Sequence, residues 1–287
     1  MCDDRRIVLH ILAFALLQQN PAALRSIFEE GLERRREKYG VYDARTAQAS
    51  RDFGMFLASH GKEADARTVL DEAVHIDERL FGANDARTLA DVAELASVTP
   101  ESQAEPLWKR AAESTDAAVA ARALAELGRI TGTAAFYRKA IAKEKDSATM
   151  ALDLNALSKL VDPPEAIGLL ERALAIDRRV LGTMHAETAT TEANLAGLLA
   201  DTPRNAEAIR LASEALHVFE QTVGPDHPRT AVAASILGYA YEVKGDRKQA
   251  ERMYRLALEI DTRIYGPRHP QTLNDARVLD EFLKSPH

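Results

Sequence analysis

Apolar residues recur along the chain at spacings of three and four, the period of a helix with one buried face. The clearest stretch runs from Thr230 to Gly266. Leu237, Gly238 and Tyr241 share one face of a predicted helix that Gly245 ends, where a left-handed cap is cheap. Ala250, Tyr254 and Ala257, spaced four and three, stack on one face of the next helix. The same set returns as Phe53, Gly54, Leu57, Gly61, Ala66, Leu70 and Ala73. It returns less completely as Leu195, Ala196, Leu199, Ala208, Ala212 and Ala215. Small residues at fixed positions let two helix backbones approach, and larger ones fill the space between.

The connecting loops repeat as well. Gly40, Gly82, Gly182, Gly224 and Gly266 are each followed six residues later by threonine: Thr46, Thr88, Thr188, Thr230 and Thr272. Aspartate or histidine stands third after each glycine, as Asp43, Asp85, His185, His227 and His269. The glycines lie 42 residues apart within each run. A helix pair of this size cannot bury its apolar face alone, so neighbouring pairs must stack. The expected fold is all-α, a superhelical solenoid of about seven antiparallel helix pairs plus a C-terminal capping helix. It would form one array over residues 1–287.

The period shortens in the middle. Taking Leu70 as the anchor of a second helix, the next anchors are Trp108, Tyr137, Leu170, Ala212 and Tyr254, in steps of 38, 29, 33, 42 and 42. Long repeats are therefore expected at 4–88 and 146–272, with two compact ones at about 89–145. Pro100 should shorten its first helix. Asp162, Pro163 and Glu165 read as an N-cap, a proline at the first helical position and an acid at the third. Arg6 to Leu17 takes the first-helix role in register, with Leu24 and Phe28 on the packing face of the helix that follows. Residues 272–284 form a first helix without its second, and Asp275, Asp280, Glu281 and Lys284 give it the polar side a terminal cap needs.

Composition narrows the function. Of 287 residues 46% are hydrophobic but only 6% aromatic, which suits close helix packing through small side chains. A formal charge of −7 argues against general nucleic-acid binding, which needs a basic face. The lone cysteine, Cys2, excludes an intramolecular disulfide framework and a cysteine-based zinc site. Arg5 and Arg6 before the apolar run Ile7 to Leu17 outline a signal peptide ending near Ala22 or Ala23. Asp3, Asp4 and His10 weaken that outline, so the expected location is cytoplasmic, with a periplasmic or secreted protein as the alternative. The run is too short to span a bilayer.

The Leu-Gly-x-x-Tyr pattern at Leu237 to Tyr241 and the Ala-x-x-x-Tyr-x-x-Ala pattern at Ala250 to Ala257 resemble a tetratricopeptide repeat. The 42-residue period and the loop from Gly224 to Pro228 resemble more closely the kinesin-light-chain-like subfamily of bacterial type. The resemblance implies a right-handed superhelix, no enzymatic activity, and binding of an extended peptide or partner protein along a concave face lined by first helices. Relatives clamp peptide backbones with asparagines there. The matching residue is Asn194, and more loosely Asn155, whereas Asp52, Glu94 and Ile236 stand at the Asn194 position in other repeats.

Other candidate residues follow from register. Tyr239 projects two residues before Tyr241 and, with Ser235 and Glu242, should face the groove. Arg51, Met55, Arg277 and Glu281 hold equivalent places. Partner contact and plain solvent exposure both fit them. The partner-binding set is thus Arg51, Met55, Asn155, Asn194, Ser235, Tyr239 and Arg277. His185, His227 and His269 recur beside acids, but equivalent loops of stacked repeats lie roughly 10 Å apart, too far to share an ion. They are expected to cap helices, with no metal and no cofactor. No nucleophile elbow, phosphate loop or zinc-protease motif is present, and most acids read as solvated partners of nearby Lys and Arg. Trp108, Tyr137 and Tyr254 are expected in the core. Self-assembly, for instance as a homodimer, and an exported scaffold are the competing functions.

Overall fold

The computed structural model describes residues 20–285, and every regular element among them is helical. Fourteen helices follow in order: α1 (Pro21–Tyr39), α2 (Ala44–Ser59), α3 (Glu63–Phe81), α4 (Ala86–Ser97), α5 (Glu101–Ala111), α6 (Ala117–Thr131) and α7 (Ala134–Lys143). Then come α8 (Ala148–Ser158), α9 (Pro163–Val180), α10 (Ala186–Leu199), α11 (Asn205–Thr222), α12 (Pro228–Lys244), α13 (Arg247–Tyr265) and α14 (Pro270–Lys284). Six complete pairs, α2/α3 to α12/α13, stand between the single helices α1 and α14. The segment 6–17, expected as the partner of α1, lies outside the described residues, as do Cys2 and the signal-peptide outline. The chain forms two compact units, one ending at Lys143 and the other beginning at Glu144.

The repeated loop has a physical cause in each of its residues. Its glycine takes a positive φ, from 83° at Gly266 to 102° at Gly224, which a side chain would strain. Six residues on, the hydroxyls of Thr46, Thr88, Thr188 and Thr230 donate back to that glycine's carbonyl at 2.7–2.9 Å. Between them sits the N-cap. Asp43 and Asp85 accept from the amides of Arg45 and Arg87 at 2.9 and 3.0 Å. His185, His227 and His269 do the same through Nδ1, accepting from Glu187, Arg229 and Gln271 at 3.1, 3.1 and 3.2 Å. The histidines therefore cap helices, as their register indicated. Asp162 also occupies an N-cap, but its side chain bonds no helix amide. Prolines at the two following positions remove the first donors it could have reached.

Within each unit, each helix packs on its neighbours in sequence. In addition, the first helices of successive pairs touch one another, α4 on α6 and α10 on α12, whereas successive second helices make no contact of that extent. First helices therefore form the inner layer of each unit. The cores follow the expected anchors, with Trp108, Tyr137 and Tyr254 all buried. Phe28 and Leu24 are half-buried on α1, and Phe28 stacks on Phe56 of α2 at 4.7 Å between ring centroids. The small-against-large rule is literal at three places. A Cβ added to Gly54, Gly128 or Gly238 would come within 2.5, 2.7 and 2.9 Å of Leu70, Tyr137 and Tyr254.

The shortened middle is visible in helix length. α4 stops at Ser97 and Pro100 caps the next helix. The second helices α5 and α7 have 11 and 10 residues, against 19 in α3 and 18 in α9.

Candidate inner-face binding site

In the second unit, α8, α10, α12 and α14 supply the inner layer. Asn155 on α8 donates to the Thr191 hydroxyl at 2.8 Å, and its oxygen accepts from Asn194 on α10 at 3.0 Å. Thr191 in turn donates to the buried carboxylate of Asp177 at 2.7 Å. This chain fixes the carboxamide orientations. With its proton on Asp177, Thr191 can only accept, so Asn155 presents nitrogen to Thr191 and oxygen to Asn194. Among the described residues the Asn194 oxygen accepts no further bond, leaving half-buried Asn194 with a free acceptor and one free N–H. Burial pushes the Asp177 carboxyl up, against the hydrogen bond from Thr191 that lowers it. The two asparagines are not equivalent in register. Counted from the N-caps Ser147 and His185, Asn155 is eighth and Asn194 ninth. That difference turns Asn155 toward α10, where it meets Asn194 instead of lying parallel to it.

Beside this polar chain, α12 presents an apolar row. Val232 and Val243 are exposed, Tyr239 is 38% exposed and Ile236 is half-buried. Their spacings of four, three and four keep them on one helix face. The Tyr239 hydroxyl donates to Asp201, just past the end of α10, and this bond pushes the phenol up to about 12. Ser235 is half-buried on the same helix. Arg277 is exposed on α14, bonded to Glu281 at 2.8 Å and Asn274 at 3.0 Å. Tyr241 is half-buried and packs against the core from its margin.

The first unit places its two candidates differently. Met55 on α2 is 46% exposed. One turn earlier, Arg51 reaches across three helices, bonding Gln48 at 2.7 Å, Asp77 of α3 at 3.3 Å, and Asp91 of α4. Both aspartates are buried. Burial first, then repulsion from Asp91, pushes Asp77 up to about 6. Burial raises Asp91 too, opposed by its bond to Arg51. Arg51 is a counter-ion strut between repeats, with 23% of its side chain exposed.

These buried acids correct the expectation that acids are solvated. Asp77, Asp91, Asp177, Glu192, Asp261 and Asp275 are all buried. Asp275 does not give α14 a polar outer side, since it faces Asp261 of α13 and shares a hydrogen bond with it. Glu192 is held by Arg178 at 2.7 Å. The signal was in the period: Asp77, Asp177 and Asp261 each stand five residues before a loop glycine, and Asp91, Thr191 and Asp275 nine after it. Each pair joins a second helix to the first helix of the next repeat.

Among the described residues no group of three or more His, Cys, Asp or Glu is placed to hold a metal ion. No helix among them is long and apolar enough to cross a membrane. Residues 187–263 match the tetratricopeptide repeat family model. This segment carries tetratricopeptide repeats. Two solved structures agree on the fold. The pilF protein of Pseudomonas aeruginosa is 16% identical, with 81% of this chain and 97% of that one covered, at a TM-score of 0.55. The C-terminal part of a TPR repeat-containing protein from Cytophaga hutchinsonii is 13% identical, covering 93% and 98%, at 0.53. BtubC (BKLC) from P. vanneervenii is 18% identical, covering 88% and 94%, at 0.46. No curated protein sequence matches the chain.

Proposed function

We propose that this chain is a non-enzymatic scaffold of kinesin-light-chain-like type that binds an extended peptide along the inner layer of its second unit. The observation that carries the reading is the free amide edge of Asn194 next to the apolar row Val232, Ile236, Tyr239 and Val243. A peptide main chain needs a donor and an acceptor on one side, and its alternate side chains need apolar cover on the other. Ser235 and Arg277 extend the polar margin. Asn155 and Asp177 hold Asn194 in place without touching the ligand. In the first unit Met55 offers a contact, and Arg51 supports the face.

The test uses the full chain against an array of random peptides, comparing wild type with the Asn194→Ala/Tyr239→Ala double variant. Binders should lose roughly tenfold or more in affinity, since one hydrogen bond and one aromatic contact together exceed about 1.4 kcal/mol. Far-UV circular dichroism should be unchanged. Peptides that bind both forms equally would sink this groove.

A further inference from the structure

We infer a second docking surface, on the outer layer of the first unit, that takes an acidic amphipathic segment of a partner protein. It is a groove of roughly 670 Å³ between the short second helices α5 and α7. Leu124 and Leu127 of α6 form its floor and Phe136 one wall. Three lysines, Lys109, Lys139 and Lys143, stand on its rim against a single acid, Glu113.

The groove follows from the shortened repeats. With 11 and 10 residues, α5 and α7 are the shortest of the second helices, and the buried Leu124 and Leu127 of α6 line the channel there. Its charge is what distinguishes it. A groove along α13 sets three acids against three bases, and one between α1 and α2 sets two against two. The hollow left by the short α4 has three acids and two arginines. Only the α5–α7 groove, of these four, carries an excess of positive charge, in a chain of formal charge −7.

The rim cations are available. Lys139 and Lys143 pair with no carboxylate among the described residues, and the Lys139 ammonium lies 6.0 Å from the Phe136 ring centroid. Lys109 pairs with Glu105 at 2.7 Å, but both side chains are largely exposed, so water competes for the bridge and exchange is cheap. An apolar floor under a cationic rim complements a segment in which leucine or phenylalanine alternates with Asp and Glu at helical spacing. A flat anionic membrane fits less well, because the leucines are recessed between two helices.

The experiment displays random 16-residue peptides against the immobilised full chain and sequences the binders. Binding is then remeasured with Lys139→Glu/Lys143→Glu, whose exposed positions leave the core untouched, and with the inner-face double variant. The expected result is a peptide class enriched in Asp or Glu with Leu or Phe. It should weaken at least about tenfold in the lysine variant and at raised salt, yet bind the inner-face variant as it binds wild type. Parallel measurements use phosphatidylserine–phosphatidylcholine vesicles and sedimentation of the chain alone. The inference is overturned if no acidic class is selected, or if the lysine variant binds that class unchanged. It is equally overturned if the lysine variant changes only vesicle binding or only self-association.

Discussion

Gly128 offers a direct measure of how closely two helices of one repeat are pressed together. A Cβ at this position on α6 would stand 2.7 Å from both Cδ2 and Cε2 of Tyr137 and 3.0 Å from its Cγ. The Tyr137 ring is buried, so it cannot swing aside as an exposed side chain could. Overpacking of this kind costs about 1–3 kcal/mol. Alanine also favours the helix over glycine by about 1 kcal/mol, so Gly128→Ala should destabilise by roughly 1 kcal/mol net. Gly31 on α1, in the same unit, is the control. Its added Cβ would meet only the end of Arg35 at 3.5 Å, and Gly31→Ala should stabilise by about 0.5–1 kcal/mol. The assay is urea unfolding followed by fluorescence of Trp108, the lone tryptophan, which is buried in this unit and reports on it alone. The decisive step repeats Gly128→Ala in a Tyr137→Ala background. With the ring gone only the helix preference remains, so the same substitution should become stabilising. If Gly128→Ala lowers stability equally in both backgrounds, close approach to Tyr137 is not the reason for the glycine.

Three further outcomes are expected. His227→Ala should lower stability by about 1 kcal/mol through loss of the N-cap, while His227→Asp should keep it, because Asp43 and Asp85 do the same work elsewhere in the chain; thermal circular-dichroism melts distinguish them. Arg51→Ala strands two buried carboxylates and should cost about 3 kcal/mol at pH 7, discounted from larger values because Arg51 is partly exposed. In urea titrations that loss should shrink near pH 5, where Asp77, at about 6, takes up a proton. Asp275, pushed to about 6 by burial first and by neighbouring Asp261 second, binds its proton more tightly folded than unfolded. Its contribution is therefore favourable in acid and lost as pH rises from about 4 through 6. Asp275→Asn should gain about 1–2 kcal/mol at pH 7.5 and nearly nothing at pH 4, and a gain equal at both values would refute the proton-sharing pair.

How much was legible depended on whether a feature is local. The loop of Gly224, His227 and Thr230 was readable because all three act within seven residues of each other, and repetition at 42 residues exposed their common role. Tyr137 was assigned to the core from its register, yet its glycine partner Gly128 was missed, because the compact repeat breaks the spacing that revealed Gly54 and Gly238. Asn194 was singled out through resemblance. Its connection to Asp177 through Asn155 and Thr191 could not be, since register placed Asn155 one residue off. Arg51 was expected to face a ligand, and the structure sets it against Asp77 and Asp91, residues 26 and 40 positions away.

The sequence by itself determined the helix pairs, their caps, the anchors of the core and the shortening between Ala90 and Lys145. These follow from backbone geometry and a helical period, which operate over a few residues. Only the tertiary structure decided which acids are buried, which carboxamide edge is left free and which groove keeps unpaired lysines. Those properties depend on how far each helix is rotated about its axis against a neighbour from the next repeat. A rotation that moves a side chain from solvent to contact leaves no mark on the apolar pattern; for Asp77 and Asp275 the mark was only their fixed distance from the loop glycines, which carries meaning once the packed helices show what faces them.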